Sequence, residues 1–454
     1  MYNDWGGGHV MARPKLAFLN DLVQAITGNE RRGKRAPITE EAAARNALSR
    51  PASERLAAAC DVLMGRIGDA ARVAVAEQAL AAYAQLTKPE RHDFFVMLRD
   101  RFNSSPEAIR TAFAAYDADP SARTLVPLFN AVEPPRQTLL RRLNTAPGAT
   151  LKLVHMRADL LKAIADDPEL APLDSDFGHL FASWFNRGFL TIQRIDWSTP
   201  ANVLEKIMGY ETVHPMKGWQ DLRRRLDPAD RRFYAFFHPA TGDEPLIFVE
   251  VALMRDTPAE IAPILNAPAL DLAEEADTAV FYSINNTLAG LKGVSFGNFL
   301  IKQVVAELAA ELPSLTTYVT LSPAPGFAGW LSGVKEPEAV KLAEELDQGA
   351  WLMDAAEAER LKPQVEALAA RYFTEARSKS GAPRDPVARF HLGNGAAAWR
   401  VNWPGDRSDG AVKRAHGLMI NYLYEPAAIE AQHEAFVRDG TIATGAPLAA
   451  ILSR

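Results

Sequence analysis

At 454 residues, 48% apolar and 23% charged, the chain has the composition of a soluble globular protein and is too long for one ordinary core; two domains, or three, are expected. A formal net charge of −6 gives no global attraction to nucleic acid or acidic membranes, and no apolar run reaches the roughly 20 residues of a membrane helix. The single cysteine, Cys60, excludes an intrachain disulfide and a cysteine-rich zinc site; among Leu56, Ala57, Ala58, Ala59, Val62 and Leu63 it reads as a buried thiol, and reducing cytoplasm as its compartment.

Residues 1–35 hold glycines, no apolar signal core and a basic cluster, Arg31-Arg32-Gly33-Lys34-Arg35, without interleaved aromatics. They read as a solvated, disordered arm. From about Thr39 to Asn186 the pattern is helical. Leu56, Ala59, Leu63 and Ile67 recur at helical spacing, as do Leu80, Tyr83 and Leu86. Thr87-Lys88-Pro89-Glu90 is a helix start, with Thr87 as N-cap, and further breaks fall at Pro106, Pro120, Pro134-Pro135 and Pro147-Gly148. This predicts an all-helical bundle without a catalytic constellation, serving support or assembly.

The pattern changes near Phe185–Leu190, where Leu190 to Ile195 alternates as a strand does. The expected domains are therefore 1–188, helical, and 189–454, an α+β sheet domain. In the second, a helix is expected after Ser198-Thr199-Pro200, and strands over Arg231–Phe237 and Pro245–Met254. Helices follow around Val340–Leu346 and Ala355–Tyr372, strands at Ala397–Trp403 and Leu418–Tyr424, and a last helix over Pro426–Val437.

The central stretch is Thr278–Trp330. Thr278–Ile284 is β-branched and aromatic, Gly290–Asn298 is glycine-rich, and Phe299–Leu312 is helical and stopped by Pro313. Leu315–Leu321 is a second strand, ending in Ser322-Pro323-Ala324-Pro325-Gly326-Phe327. A glycine-rich turn that opens a helix behind a strand offers N–H groups to an anion, so a phosphate-bearing ligand is expected at Gly290–Asn298, with Lys292 adding charge. The motif lacks the GK[ST] ending of a P-loop, and a plain structural turn is the rival reading. By residue type Ser322 caps the following turn. His391, between Phe390 and Leu392, reads as a satisfied core histidine, and His214, His238 and His416 are rivals that spacing cannot separate. No histidine or acidic cluster has metal-ligand spacing, so no metal is expected.

Longer words narrow the reading. His214-Pro215-Met216-Lys217-Gly218-Trp219, Asp221–Leu226, Glu244–Leu253, Leu291–Lys302, Leu321–Phe327, Phe390–Ala396 and Gly417–Tyr422 occur together and in order, and the chain closely resembles the malonyl-CoA decarboxylase family. The resemblance implies a helical domain joined to an acetyltransferase-type (GNAT) domain, and conversion of malonyl-CoA to acetyl-CoA and CO2 without metal or organic cofactor. It implies that Lys292, Gly293, Val294, Ser295, Phe296, Gly297 and Asn298 bind the CoA substrate. It implies a catalytic pair: Ser322 as proton acceptor and carboxylate-positioning group, and His391 as proton donor, with Tyr424 in support. Animal members carry an acidic residue where this chain has Ser295, so a carboxylate role there is lost or moved. The resemblance also implies a dimer or tetramer, assembled through the helical domain. With no mitochondrial-type presequence and an end of Leu452-Ser453-Arg454, a bacterial-type cytoplasmic enzyme of malonate and fatty-acid metabolism is expected. A CoA-dependent acyltransferase and a non-catalytic CoA-binding scaffold are the alternative functions.

Overall fold

Alanine- and leucine-rich segments cut by proline give the first part of the chain a succession of helices, as their spacing predicts. The computed structural model describes residues 50–266, 275–294 and 300–454. The expected helix start at Thr39, the arm 1–35 and its basic cluster lie outside the described residues. Six helices build the core of the first unit: Ala52–Met64, Asp69–Ala84, Lys88–Arg101, Pro135–Leu143, Ala149–Asp166 and Ala171–Trp184. Leu63, Phe95, Leu139, Leu153, Leu160 and Phe181 are fully buried among them. Thr87 starts its helix as expected. Its backbone N–H and hydroxyl donate to Glu90 at 2.8 and 2.7 Å, which satisfies end groups the helix itself cannot pair. Cys60 is fully buried, and burial raises its thiol to about 12, far from a nucleophile's range.

The compact units divide after Phe185, and the short segment Leu288–Val294 belongs to the helical unit. Arg157 explains that return. Its guanidinium, paired with Asp174 at 2.7 Å, donates to the carbonyls of Gly290 at 2.8 Å and Lys292 at 3.0 Å. Gly290 has to be glycine: a Cβ there would lie 1.8 Å from the Val154 carbonyl oxygen.

The second unit, Asn186–Thr287 with Ser295–Arg454, is built on one mixed sheet. Its strands are β1 (Thr191–Arg194), β2 (Arg231–Phe237), β3 (Ile247–Met254), β4 (Thr278–Asn286), β5 (Thr317–Thr320), β6 (Ser322–Pro323), β7 (Ala397–Asn402) and β8 (Met419–Leu423). The order is β1-β2-β3-β4-β5-β8-β6, with β7 beside β8. Neighbours are antiparallel except β4 and β5, which run parallel and are joined through the helix Leu300–Glu311. This strand–loop–helix–strand unit inside a mixed sheet is the α+β architecture expected for an acetyltransferase-type domain.

β2, β3 and β4 are buried nearly throughout because the sheet is covered on both faces. On one side the helices Ala201–Tyr210 and Trp219–Leu226 bring Ile207 and Leu222 onto Phe233 and Phe248. A second cluster joins Val280, Val319, Leu321 and Met419. Trp219–Leu226, Pro386–Gly393 and Ala446–Leu452 are helices where apolar spacing indicates none. Trp219–Leu226 holds three successive arginines, and the other two are at most eight residues long, too short for periodicity to register.

Candidate active site

The sheet itself makes the site. β4 and β5 pair from Thr278–Thr317 to Phe281–Thr320, and the Leu321 N–H donates to the Phe281 carbonyl at 2.9 Å as the last link. Beyond it β4 stays with β3, whereas Ser322 and Pro323 pair with β8. The two chains part, and backbone that would otherwise pair faces an opening. A bulge adds to it. Phe281 pairs with Val251 and Ser283 with Glu250, so Tyr282 has no register partner on β3. A cavity of about 210 Å³ fills this fork, walled by Phe281, Ser283 and Ile284 on one side and by Ser322, Phe390 and His391 on the other.

Ser322 and His391, 69 positions apart, meet here: Ser322 Oγ lies 3.1 Å from His391 Nε2, with both side chains buried. Tyr424 closes the row, its hydroxyl 2.8 Å from His391 Nδ1. Three of the expected residues are therefore brought together. The network also assigns the tautomer. Ser322 donates to Thr320 Oγ1 at 2.9 Å, and Tyr424 is fully buried with Nδ1 as its acceptor. Nδ1 then accepts the Tyr424 hydrogen bond, leaving Nε2–H to donate to Ser322. The ring of Tyr422 stacks on His391, centroids 4.6 Å apart, and fixes the plane of the imidazole.

Burial lowers the His391 pKa to about 3, because a charged imidazolium would lose its hydration there. His391 is therefore neutral at physiological pH. A depressed folded value means that the unfolded chain binds the proton first as pH falls below about 6.5. This residue's contribution to stability is complete above that pH and is lost progressively towards pH 3. We expect the thermal midpoint of the wild-type protein to fall more steeply between pH 6.5 and 4 than that of His391→Asn, measured by calorimetry; parallel curves would contradict the neutral, buried imidazole.

The rival histidines take other places. His214 lies against Tyr282, His238 against Phe189, and His416 near Asp347 with a left-handed backbone. Of the expected CoA-binding stretch, Lys292, Gly293 and Val294 lie in the segment held by Arg157, and Ser295, Phe296, Gly297 and Asn298 lie outside the described residues. Thr320 is a site residue that sequence reasoning passes over. Its spacing of two from Ser322 could have revealed it, since alternate residues of an extended chain share a face.

A buried polar group lies behind the bulge. Glu211 accepts from the Ser283 hydroxyl at 2.7 Å, the Asn285 amide at 2.8 Å and the His214 N–H at 2.7 Å. Arg225 reaches both oxygens of Glu250 at 3.1 Å and the His214 carbonyl at 2.5 Å. Complete burial holds the Glu250 carboxyl well above its usual range; Arg225 opposes this and Glu211 reinforces it. Ser283, on the cavity wall, is thus fixed from beneath by a carboxylate. Among the described residues no group of three or more His, Cys, Asp or Glu could hold a metal ion.

A hydroxyl and a neutral imidazole facing a small, half-open cavity, at a strand fork in a mixed sheet, can do acid–base work on a compact carbonyl group. The malonyl-CoA decarboxylase C-terminal domain matches residues 188–454, and the N-terminal domain of the same family matches residues 102–185. The chain belongs to the malonyl-CoA decarboxylase family. It is 51% identical to the malonyl-CoA decarboxylase of Rhodopseudomonas palustris, whose crystal structure superposes with a TM-score of 0.85 over 88% of this chain and 99% of that one. The Agrobacterium vitis structure gives 48% identity and a TM-score of 0.83, covering 88% of this chain and 100% of that one. The mitochondrial malonyl-CoA decarboxylase of Rattus norvegicus is 36% identical over 327 residues, 65% of this chain and 66% of its own length. The chain thus covers less than two thirds of that mitochondrial relative.

Proposed function

We propose that this chain removes CO2 from malonyl-CoA and leaves acetyl-CoA, with Ser322 and His391 as the reacting pair. The observation that carries the proposal is the 3.1 Å contact of a serine hydroxyl with a neutral imidazole at the wall of a half-open cavity, in a chain of this family. Breaking the C2–carboxylate bond moves its electron pair into the thioester, which becomes an enolate as CO2 leaves. The protein must orient the carboxylate, place a donor by the thioester oxygen and give C2 a proton. Ser322 is suited to hold the carboxylate or the thioester oxygen. His391 is suited to protonate C2 from Nε2 while Nδ1 accepts the Tyr424 hydrogen bond, and solvent entering the half-open cavity returns the proton to Nε2 once acetyl-CoA leaves. The donor in this scheme is neutral imidazole, so no prior protonation of a buried ring is required. A covalent malonyl-serine would need Nε2 as acceptor, the tautomer opposite to the one the network favours.

Ser322→Ala should lower kcat by about 10²–10³-fold with KM nearly unchanged, the magnitude of losing one donor to a developing oxyanion. Purified protein is incubated with malonyl-CoA and a chelator, and acetyl-CoA and CO2 are followed. Equal yields, insensitive to the chelator, are expected, since the thioester itself accepts the electron pair. No CO2, or acetyl-CoA consumed only in the presence of an amine, would overturn the reading.

The remaining parts of the proposal follow from it. Lys292 to Asn298 would receive the CoA handle. The helical domain would assemble a dimer or tetramer: Pro106–Ala118 and Ala122–Val132 bury none of their own residues and expose Phe113, Leu125, Val126 and Phe129. Light scattering should give a multiple of the chain mass, and Phe129→Glu should reduce it towards one chain; a monomeric wild type would contradict the assembly. Among the described residues no helix is long and apolar enough to cross a membrane, and we propose a cytoplasmic location.

A further inference from the structure

The pairing of β5 with β8 changes character just before Ser322. Val319 faces Leu423, and the Tyr424 N–H donates to the Tyr318 carbonyl at 2.8 Å, as an antiparallel ladder requires. A continued ladder would direct the Tyr422 N–H to the Thr320 carbonyl. The Tyr422 N–H donates to the Thr320 side chain at Oγ1, 3.1 Å away, and the Thr320 carbonyl accepts the Asn421 side-chain amide at 2.7 Å. Asn421 is itself held, its Oδ1 accepting from Asn402 at 2.8 Å and from Arg400 at 3.0 Å. Thr320 and Asn421 are both wholly buried. Strand pairing alone needs no such exchange, because the main-chain bond would join the two strands without any side chain.

The exchange clamps the Thr320 hydroxyl. A β-branched side chain has few rotamers, and the Tyr422 N–H fixes the one in which the other lone pair faces Ser322. Ser322 donates to it at 2.9 Å. The Ser322 proton therefore points away from His391, and the serine meets Nε2, 3.1 Å away, with a lone pair. Were that proton free to turn, it would compete for Nε2 and favour the tautomer with its proton on Nδ1, where the Tyr424 hydroxyl lies at 2.8 Å. A malonyl carboxylate is a stronger acceptor than a hydroxyl and can draw the Ser322 proton to itself. In either position that proton stays off Nε2.

We infer that Thr320 is a positioning residue that keeps the His391 ring proton on Nε2 by holding the Ser322 hydroxyl proton away from that nitrogen. It acts through Ser322, and the malonyl-CoA reaction proposed above enters only the kinetic half of its test. Thr320→Val keeps the shape of the side chain and removes the acceptor. Its kcat should fall by about tenfold, the bias that one hydrogen bond supplies between two tautomers, while KM stays near the wild-type value. Thr320→Ser, which restores the oxygen, should recover most of the rate.

The independent readout is the pair of ¹⁵N signals of the His391 ring, which tell a protonated nitrogen from a bare one with no substrate present. The wild type and Thr320→Ser should show Nε2 protonated and Nδ1 bare, and Thr320→Val a mixture of the two tautomers. A residue that merely joined β5 to β8 would cost stability when replaced and leave the tautomer as it was. If Thr320→Val does not fold, Thr320→Cys, whose sulfur is a weak acceptor, should show the same two changes in smaller measure. A folded Thr320→Val or Thr320→Cys protein with the wild-type ring signals would overturn the inference, as would a wild type protonated on Nδ1. If the wild type releases no CO2 from malonyl-CoA, the decarboxylase reading fails and the ring signals alone decide the role of Thr320.

Discussion

Replacing His391 with asparagine should lower kcat for CO2 release by about 10²–10⁴-fold, the usual contribution of a placed proton donor, with KM for malonyl-CoA little changed. Asparagine can still accept from Tyr424 and can still approach Ser322, so the cavity keeps its shape. What disappears is a ring able to give a proton from Nε2 while Nδ1 holds the Tyr424 hydroxyl, a property that depends on the 3.1 Å and 2.8 Å contacts at its two ends. A mainly raised KM would instead make His391 a substrate-binding group.

The largest expected loss of stability is at Arg225. Arg225→Ala should destabilise the protein by about 3–5 kcal/mol, because it removes the cation paired with Glu250, which is fully buried beside Glu211. That corresponds to a fall in thermal midpoint of roughly 10 °C at the usual sensitivity of a domain this size. Arg225→Leu combined with Glu250→Leu should recover most of the loss, since no buried charge is then left without its partner. A double variant no more stable than Arg225→Ala would show that the ion pair is not the source. The same network holds Ser283 on the cavity wall, so a folded Arg225→Ala protein should also turn over more slowly.

Much of this architecture can be read from the sequence. β2, β3 and β4 are dense in β-branched and aromatic residues, Thr87–Glu90 spells out its capping box, and Pro313 ends its helix. Ser322 at the end of a strand before two prolines is conspicuous. His391 is not. It lies between Phe390 and Leu392, as a core residue would, and its role depends on contacts 69 and 33 positions away that periodicity does not register. The resemblance of long sequence words pointed to it, and the structure supplies the contact. The return of Leu288–Val294 to the helical unit is equally hidden, because it depends on Arg157, more than a hundred residues earlier.

The measurement that tests the central claim most directly is the reaction of wild-type protein and His391→Asn with malonyl-CoA in D2O, with CO2 counted and the acetyl-CoA methyl group read by mass spectrometry. The account predicts one CO2 per acetyl-CoA, with deuterium delivered to the methyl group during turnover by the wild type, and both signals lost together in the variant. Release of CO2 at the wild-type rate by His391→Asn, or no CO2 from the wild type, would contradict it.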